Sequence, residues 1–249
     1  MLNLERAKVL CKMREEFSRE AMLIGEESLT KLNSSFVALF GVGGVGSYAA
    51  EALARAGVGK ILLVDNDTVS KSNINRQLCA LSSTVGLYKV DVVAERLRDI
   101  NPSIEVLTRK DFLLPENAHT FDFSEFDFVI DAIDTVSAKI AIAQACTKEG
   151  TKMISCMGTG NKLDPLAFCV TDISKTDTCP LARVMRRELK KRGILHLPVI
   201  YSKEKAISPA VDMENTNGKI PPASISFVPS VAGLIAASEA VKSIIGKEL

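Results

Sequence analysis

Residues 36–77 read FVALFGVGGVGSYAAEALARAGVGKILLVDNDTVSKSNINRQ. An apolar run, Phe36–Phe40, enters a loop carrying Gly41, Gly43, Gly44 and Gly46. Ala49, Ala50, Leu53, Ala54 and Val58 then recur at helical spacing, and a second apolar run ends at Asp65. A backbone that passes close to a phosphate cannot carry side chains there, and its tight turn favours positive φ; glycine meets both demands. The N-terminus of the following helix offers unpaired N–H groups and the positive end of a dipole to an anion. Asp65 falls about 20 residues beyond the loop, where a carboxylate takes ribose hydroxyls. Strand, glycine loop, helix, strand and acid together predict a βαβ unit that binds a nucleotide.

Dinucleotides use the same fingerprint, so an NAD-linked oxidoreductase and a non-catalytic nucleotide-binding module both compete with a nucleotide-consuming enzyme. The residues that bear on the choice lie downstream: Asn73, Arg76, Gln77 and Lys89. ATP carries about four negative charges, and attack at its α-phosphate needs them offset. Arg offers two-pronged contact to phosphate oxygens and Lys a point charge. The alternative, equally open from charge alone, is that Arg76 and Lys89 are solvated loop and helix residues.

The segments GVGGVGSYAAEALARAGVGKILLVDNDTVSKSNINRQ and GLYKVDVVAERLRDINP resemble the adenylating domain of the ThiF, HesA and ubiquitin-activating superfamily. The resemblance runs from about Ser18 to Pro102 and resumes at Phe128–Asp134 and Phe227–Gly246. Within the superfamily, SNINRQ, ERLRDINP, DAIDTVSAK and DPLAFCVTDISKTDTCPLARVMRRELKKRGI are most similar to the bacterial tRNA threonylcarbamoyladenosine dehydratases. The resemblance implies that Gly41, Gly43, Gly44 and Gly46 hold the nucleotide phosphates and Asp65 the ribose. It implies that Asn73, Arg76, Gln77 and Lys89 bind the triphosphate of ATP, and that Asp134, in VIDAID, holds Mg2+. Arg19 stands where the superfamily places an Arg supplied to the neighbouring subunit's ATP. Asp67 and Asp131 read as caps of strand ends. The implied reaction adenylates the threonine carboxylate of threonylcarbamoyladenosine in tRNA, and ring closure with net loss of water follows. A carboxylate ionised at pH 7 needs alignment and charge neutralisation rather than a general base. The alternative within the superfamily is an adenylyltransferase for the C-terminal Gly-Gly of a small sulfur-carrier protein. Relatives are typically homodimers, and a sulfur-relay partner is a further expectation of the resemblance.

The 249 residues carry a formal net charge of +1, which gives no global bias toward nucleic acid. The sequence contains no run of 18 apolar residues, so no transmembrane helix is expected. The charged N-terminus does not read as a signal peptide, and a cytoplasmic enzyme is expected. Cys11, Cys79, Cys146, Cys156, Cys169 and Cys179 are scattered with no CxxC pair, so a structural zinc has no obvious ligands. Cys146, Cys156 and Cys169 read as small core residues. Cys179, beside Pro180, stands near the point where thioester-forming relatives place a nucleophile; a substrate that closes on itself needs no such relay. His119 and His196 read as structural.

The pattern predicts an α/β fold: a Rossmann-like, mostly parallel sheet with helices on both faces, plus a C-terminal α/β extension. Helices are expected at 2–17, 26–33, 46–57, 86–99, 135–148, 180–193 and 229–246. Strands are expected at 35–40, 60–65, 104–109, 127–131, 152–157 and 166–171, with 69–73 irregular. The last helix is expected to bury Val231, Leu234, Ile235, Val241 and Ile245. The whole of 1–249 reads as one adenylating domain, with a nucleotide-binding part at about 18–157 and a substrate-side extension at about 158–249. Residues 202–222 read as a mobile or long loop. Arg183, Arg186, Arg187, Lys190, Lys191 and Arg192 crowd a ten-residue stretch with Glu188 as its one acid. That stretch is either a contact for tRNA phosphates or a solvated helix face.

Overall fold

The computed structural model describes residues 15–208, 210 and 222–247. Most of the helix expected at 2–17, and Cys11, lie outside them; residues 15–17 form a single 3-10 turn. The strands are β1 (Phe36–Phe40), β2 (Lys60–Val64), β3 (Glu105–Arg109), β4 (Phe128–Asp131), β5 (Met153–Cys156), β6 (Phe168–Asp172) and β7 (Pro198–Ser202). The helices are α1 (Ser18–Ile24), α2 (Glu26–Ser34), α3 (Gly46–Arg55), α4 (Lys89–Ile100), α5 (Val136–Glu149), α6 (Pro180–Lys190) and α7 (Phe227–Ile245).

The strands form one sheet in the order β3-β2-β1-β4-β5-β7-β6. All neighbours run parallel except β6 and β7, which pair antiparallel with Cys169 opposite Tyr201. β1 and, after Lys60, β2 are continuous apolar runs because both faces of the sheet are covered. Val37, Leu39, Ile61 and Leu63 face a core shared with α3, α4 and α7. Ala38, Phe40, Leu62 and Val64 face a second core shared with α5, α6 and the rings of Phe121 and Phe123.

Several features depart from the sequence reading, the helix at Ser18–Ile24 among them, since none was expected there. β7 was not expected; it joins the sheet beside β5 and supplies the partner of β6, so residues beyond 157 extend the same sheet. α4 starts at Lys89 rather than at 86, because Gly86 sits at φ +92°, outside helical space. α7 buries Ile245 as expected and also its small face, Ala232, Gly233, Ala236, Ala237 and Ala240, while Leu234 is half exposed and Val231, Ile235 and Val241 are only partly covered. The cause is a close approach to α3: a Cβ on Gly233 would lie 2.2 Å from the Val45 carbonyl oxygen. Only small residues fit such a contact.

α7, 19 residues long with mean hydropathy 1.4, meets the length and composition of a membrane-crossing helix, although it holds no unbroken apolar run. Here that apolar character is spent on α3 and the sheet. Ser202, expected to open a loop, ends β7 fully buried. Residues 203–208 are pinned to the body through Lys203 N–H on Ala167 O and Ile207 N–H on Asn161 O. Residues 209 and 211–221 of the expected loop lie outside the described residues.

Candidate functional site

A cavity of about 570 Å³ opens at the C-terminal ends of β1, β2, β4 and β5. That is where open parallel sheets bind ligands, since strand order reverses there. Gly41, Gly43 and Gly44, the acid Asp65, the Asn73–Gln77 segment, Lys89 and Asp134 all line it. Nine of the eleven expected site residues therefore meet in one place. Gly46 is not on the wall; it starts α3, and a Cβ there would lie 1.8 Å from Gly41 O, so it closes the turn behind the phosphate loop. Arg19 lies elsewhere, in a shallow cavity with Leu23, Tyr48, Glu51 and Leu234.

The glycine loop is held from three sides. Gly41 has φ +89°, and a Cβ on it would come within 2.7 Å of Ala132 O in the loop after β4. Asp65 Oδ2 accepts the Val42 N–H at 2.7 Å, and its Oδ1 accepts the Asp67 N–H at 2.8 Å. The acid thus fastens the loop, and each oxygen keeps a lone pair for a ribose hydroxyl. Pro229, near the start of α7, packs against Gly44.

Asn73 closes a 3-10 turn at 71–73, where an irregular stretch was expected: its Oδ1 accepts the Ser70 N–H at 3.1 Å. Arg76, on the following turn, donates to Ser72 O at 2.9 Å and Asn75 Oδ1 at 3.0 Å. It has no carboxylate within ion-pair distance among the described residues, which leaves its charge available to a phosphate. Gln77 is buried beneath Gly43. Lys89 is buried, and its Nζ meets Asp67 Oδ2 at 2.6 Å. Asp67, read from the sequence as a strand cap, is therefore the partner of Lys89 and part of the cavity wall.

Asp131 also departs from that reading. It is fully buried and pairs with the equally buried Lys139 at 3.0 Å. Ser155 Oγ donates to Asp131 Oδ2 at 2.5 Å, and Lys139 Nζ donates to Cys156 O at 2.7 Å. Asp131 Oδ1 accepts the Ile133 N–H at 3.2 Å, so the pair anchors the loop that carries Asp134. Sequence reasoning missed Lys139; the signal was a lone charge in the apolar run of α5, eight residues after Asp131. Asp134 is exposed at the cavity, with a 3.4 Å contact from the Thr135 hydroxyl. No cluster of three potential metal ligands occurs among the described residues.

Burial pushes the Cys79 thiol up to about 11 and that of Cys156 up to about 12, so both stay protonated at neutral pH. Cys146 and Cys156 are core residues and Cys169 is half buried. Cys179 is buried at the N-cap of α6 and lines the cavity. Neither His119 nor His196 lines it; His196 is exposed beside Asp172.

The basic stretch is α6 and the turn after it. Arg186 folds inward onto Thr176 O, a structural use. Glu188 holds Lys191, Arg192 and Arg187, and these contacts, Lys191 and Arg192 first, bring its carboxyl down to about 2. Arg183 and Lys190 are exposed without a partner among the described residues. α6 begins at the cavity wall with Pro180 and Leu181, so this charge leads outward from the site.

The model of the ThiF family matches residues 17–249. A tRNA threonylcarbamoyladenosine dehydratase of Bacillus subtilis is 48% identical over 243 residues, 94% of this chain and 96% of that protein. The Escherichia coli enzyme of the same name is 39% identical over 80% of this chain and 77% of that protein. The crystal structure of Escherichia coli tRNA N6-threonylcarbamoyladenosine dehydratase, TcdA, in complex with ATP superposes with a TM-score of 0.86. It is 36% identical, and the match covers 94% of this chain and 95% of that one.

Proposed function

The chain belongs to the ThiF family, and from that premise we propose that it is an ATP-dependent tRNA threonylcarbamoyladenosine dehydratase. The observation that carries the reading is the convergence of the glycine loop, Arg76, Lys89 and Asp134 on one cavity at the strand ends. The near-full-length identity to named dehydratases supports the substrate.

The glycine loop and the start of α3 receive the phosphates, and Asp65 takes the ribose. Arg76, on the turn shaped by Asn73 and Gln77, and Lys89, at the start of α4, offset the triphosphate charge. The threonine carboxylate attacks the α-phosphorus. The bond to the β-phosphate breaks, and pyrophosphate leaves from an acyl adenylate. The carbamoyl group of the same modified base then attacks the acyl carbon and loses a proton. AMP departs with the carboxylate oxygen, so the base has lost the elements of water. Asp134, an exposed carboxylate on the cavity wall, would hold Mg2+ as an ion shared with the substrate phosphates. When bound, the ion neutralises phosphate charge.

Arg183 and Lys190, on the helix that leads out of the cavity, fit contacts to tRNA phosphates. A homodimer in which Arg19 serves the neighbouring subunit accounts for its distance from its own cavity. Work on tRNA puts the enzyme in the cytoplasm, and a sulfur-relay protein is a further candidate partner.

The test is pyrophosphate–ATP exchange and AMP release with three triggers: tRNA bearing threonylcarbamoyladenosine, the same tRNA unmodified, and a carrier protein ending in Gly-Gly. Turnover with the modified tRNA alone, lowered about 10²–10³-fold in Arg76→Ala, is expected. Turnover with the carrier protein, or with none of the three, would overturn the reading.

A further inference from the structure

The cavity has a direction. Asp65 and Asp111–Leu113, after β2 and β3, form one end; the glycine loop after β1 forms the middle; and Gly158–Lys162, Ala206 and the start of α6 form the far end, beside β5 and β7. Its four acids, Asp65, Asp67, Asp111 and Asp134, follow β2, β3 and β4; among the described residues none lies on the far end. Three cations line the cavity, Arg76, Lys89 and Lys162, and of these Lys162 alone lies at the acid-free end.

Lys162 is 7% exposed. Its ammonium donates to the main-chain oxygen of Glu204; the Glu204 carboxylate feels the Lys162 charge, which helps to lower its pKa, but among the described residues no carboxylate lies within ion-pair distance of Lys162. The Glu204 carboxylate itself is committed to the Leu163 and Asp164 N–H groups, at 3.0 and 2.9 Å. An ammonium has three donors, and a buried one is normally paired. The segment carrying Lys162 is fixed. Asn161 stands at φ +59°, donates its N–H to Ala223 O at 2.7 Å, and accepts the Ala223 N–H on Oδ1 at 2.7 Å. Its own oxygen accepts the Ile207 N–H at 2.8 Å. Asn takes the left-handed region more readily than most residues, and three such bonds hold it there. The first turn of α6 turns its positive dipole end to the same region.

We infer that Lys162 binds the carboxylate of the acyl substrate and aligns it on the α-phosphorus; this rests on the adenylating reading above. The carboxylate pairs with Lys162 as the nucleotide pairs with Arg76 and Lys89. Lys162 keeps its proton throughout: an oxygen of the bound carboxylate forms the new bond to phosphorus, and pyrophosphate leaves at the opposite side. Because Lys162 touches the reacting carboxylate, it sets the preference for an acid over a neutral acyl group.

The test compares binding of two full-length tRNAs, one bearing threonylcarbamoyladenosine and one bearing its threonine methyl ester, to the wild-type protein and to Lys162→Met and Lys162→Arg. The wild type is expected to prefer the acid about 10- to 100-fold. Lys162→Met is expected to lose that preference with ATP affinity unchanged, and Lys162→Arg to retain part of it. Equal binding of acid and ester by the wild type overturns the inference, and so does a Lys162→Met protein that keeps the preference. A loss of ATP affinity in parallel also overturns it, since Lys162 would then merely shape the wall. Should Lys162→Met not fold, the wild-type preference and its retention in Lys162→Arg decide. The binding assay needs no turnover. Failure of the dehydratase reading therefore shows as absent AMP release, and failure of the Lys162 assignment as absent preference with AMP release intact.

Discussion

Lys139 sits where a charge is most expensive, with no exposed surface and its counter-ion equally dry. Taking both ions from water costs several kcal/mol each, which their attraction and added hydrogen bonds must offset. Asp131, Ser155 Oγ and Cys156 O supply those bonds. Removing the cation leaves Asp131 charged and unpaired, so Lys139→Met should lose about 3–5 kcal/mol of stability, read from the urea midpoint. Adding Asp131→Leu to Lys139→Met should recover part of that loss, because no orphan charge remains. A single variant within about 0.5 kcal/mol of wild type would refute the account. The same pair shows the limit of reading single residues. Asp131 looks like a strand cap in VIDAID because its partner stands eight residues on, across a turn whose geometry no local pattern carries. Asp67 was misread for the same reason, since Lys89 reaches it from 22 residues away.

At the level of elements, α7 acts as a buttress for the phosphate loop. Pro229 meets Gly44, and Gly233 meets Val45, the residue at which the loop becomes α3. Gly233→Ala would press a methyl group into the Val45 carbonyl. The expected cost is about 1–3 kcal/mol, with weaker ATP binding as Val45 is displaced. Ser238→Ala, at an exposed position of the same helix, should stay within about 0.5 kcal/mol and leave ATP affinity alone. Thermal melts and ATP titrations of both proteins check this; unchanged ATP affinity in a destabilised Gly233→Ala would break the link between helix and loop. The elements that sequence reasoning placed were those with a local cause: buried parallel strands read as apolar runs, and amphipathic helices such as α4 show their stripe. β7 was missed because PVIYS is short and its pairing with β6 joins residues about 30 apart. The buried face of α7 was assigned only in part: Ile245 is buried as expected, but Leu234 is exposed, because the backbone-to-backbone approach to α3 selects small residues.

For the whole molecule, Arg19 lies outside the cavity at the strand ends, beside Leu23 and Leu234. Met22 and Leu23 of α1 are 84% and 82% exposed, an apolar surface that the other described residues leave uncovered. The proposed homodimer relates Arg19 and that surface to one cause: two-fold pairing covers the patch and carries each Arg19 to the other subunit's phosphates. Subunit mixing tests this without any knowledge of the interface. Arg19→Ala and Arg76→Ala homodimers should each be nearly inactive. Refolded together in equal amounts, half of the dimers are mixed, and one of their two sites holds an intact Arg76 with the intact Arg19 of the other chain. Activity should then return to about a quarter of wild type. If Arg19 serves its own subunit, no mixed dimer contains a complete site, and mixing restores nothing. If Arg19 serves neither, the Arg19→Ala homodimer is active from the start. The three arrangements give three different activities, so one assay of AMP release separates them.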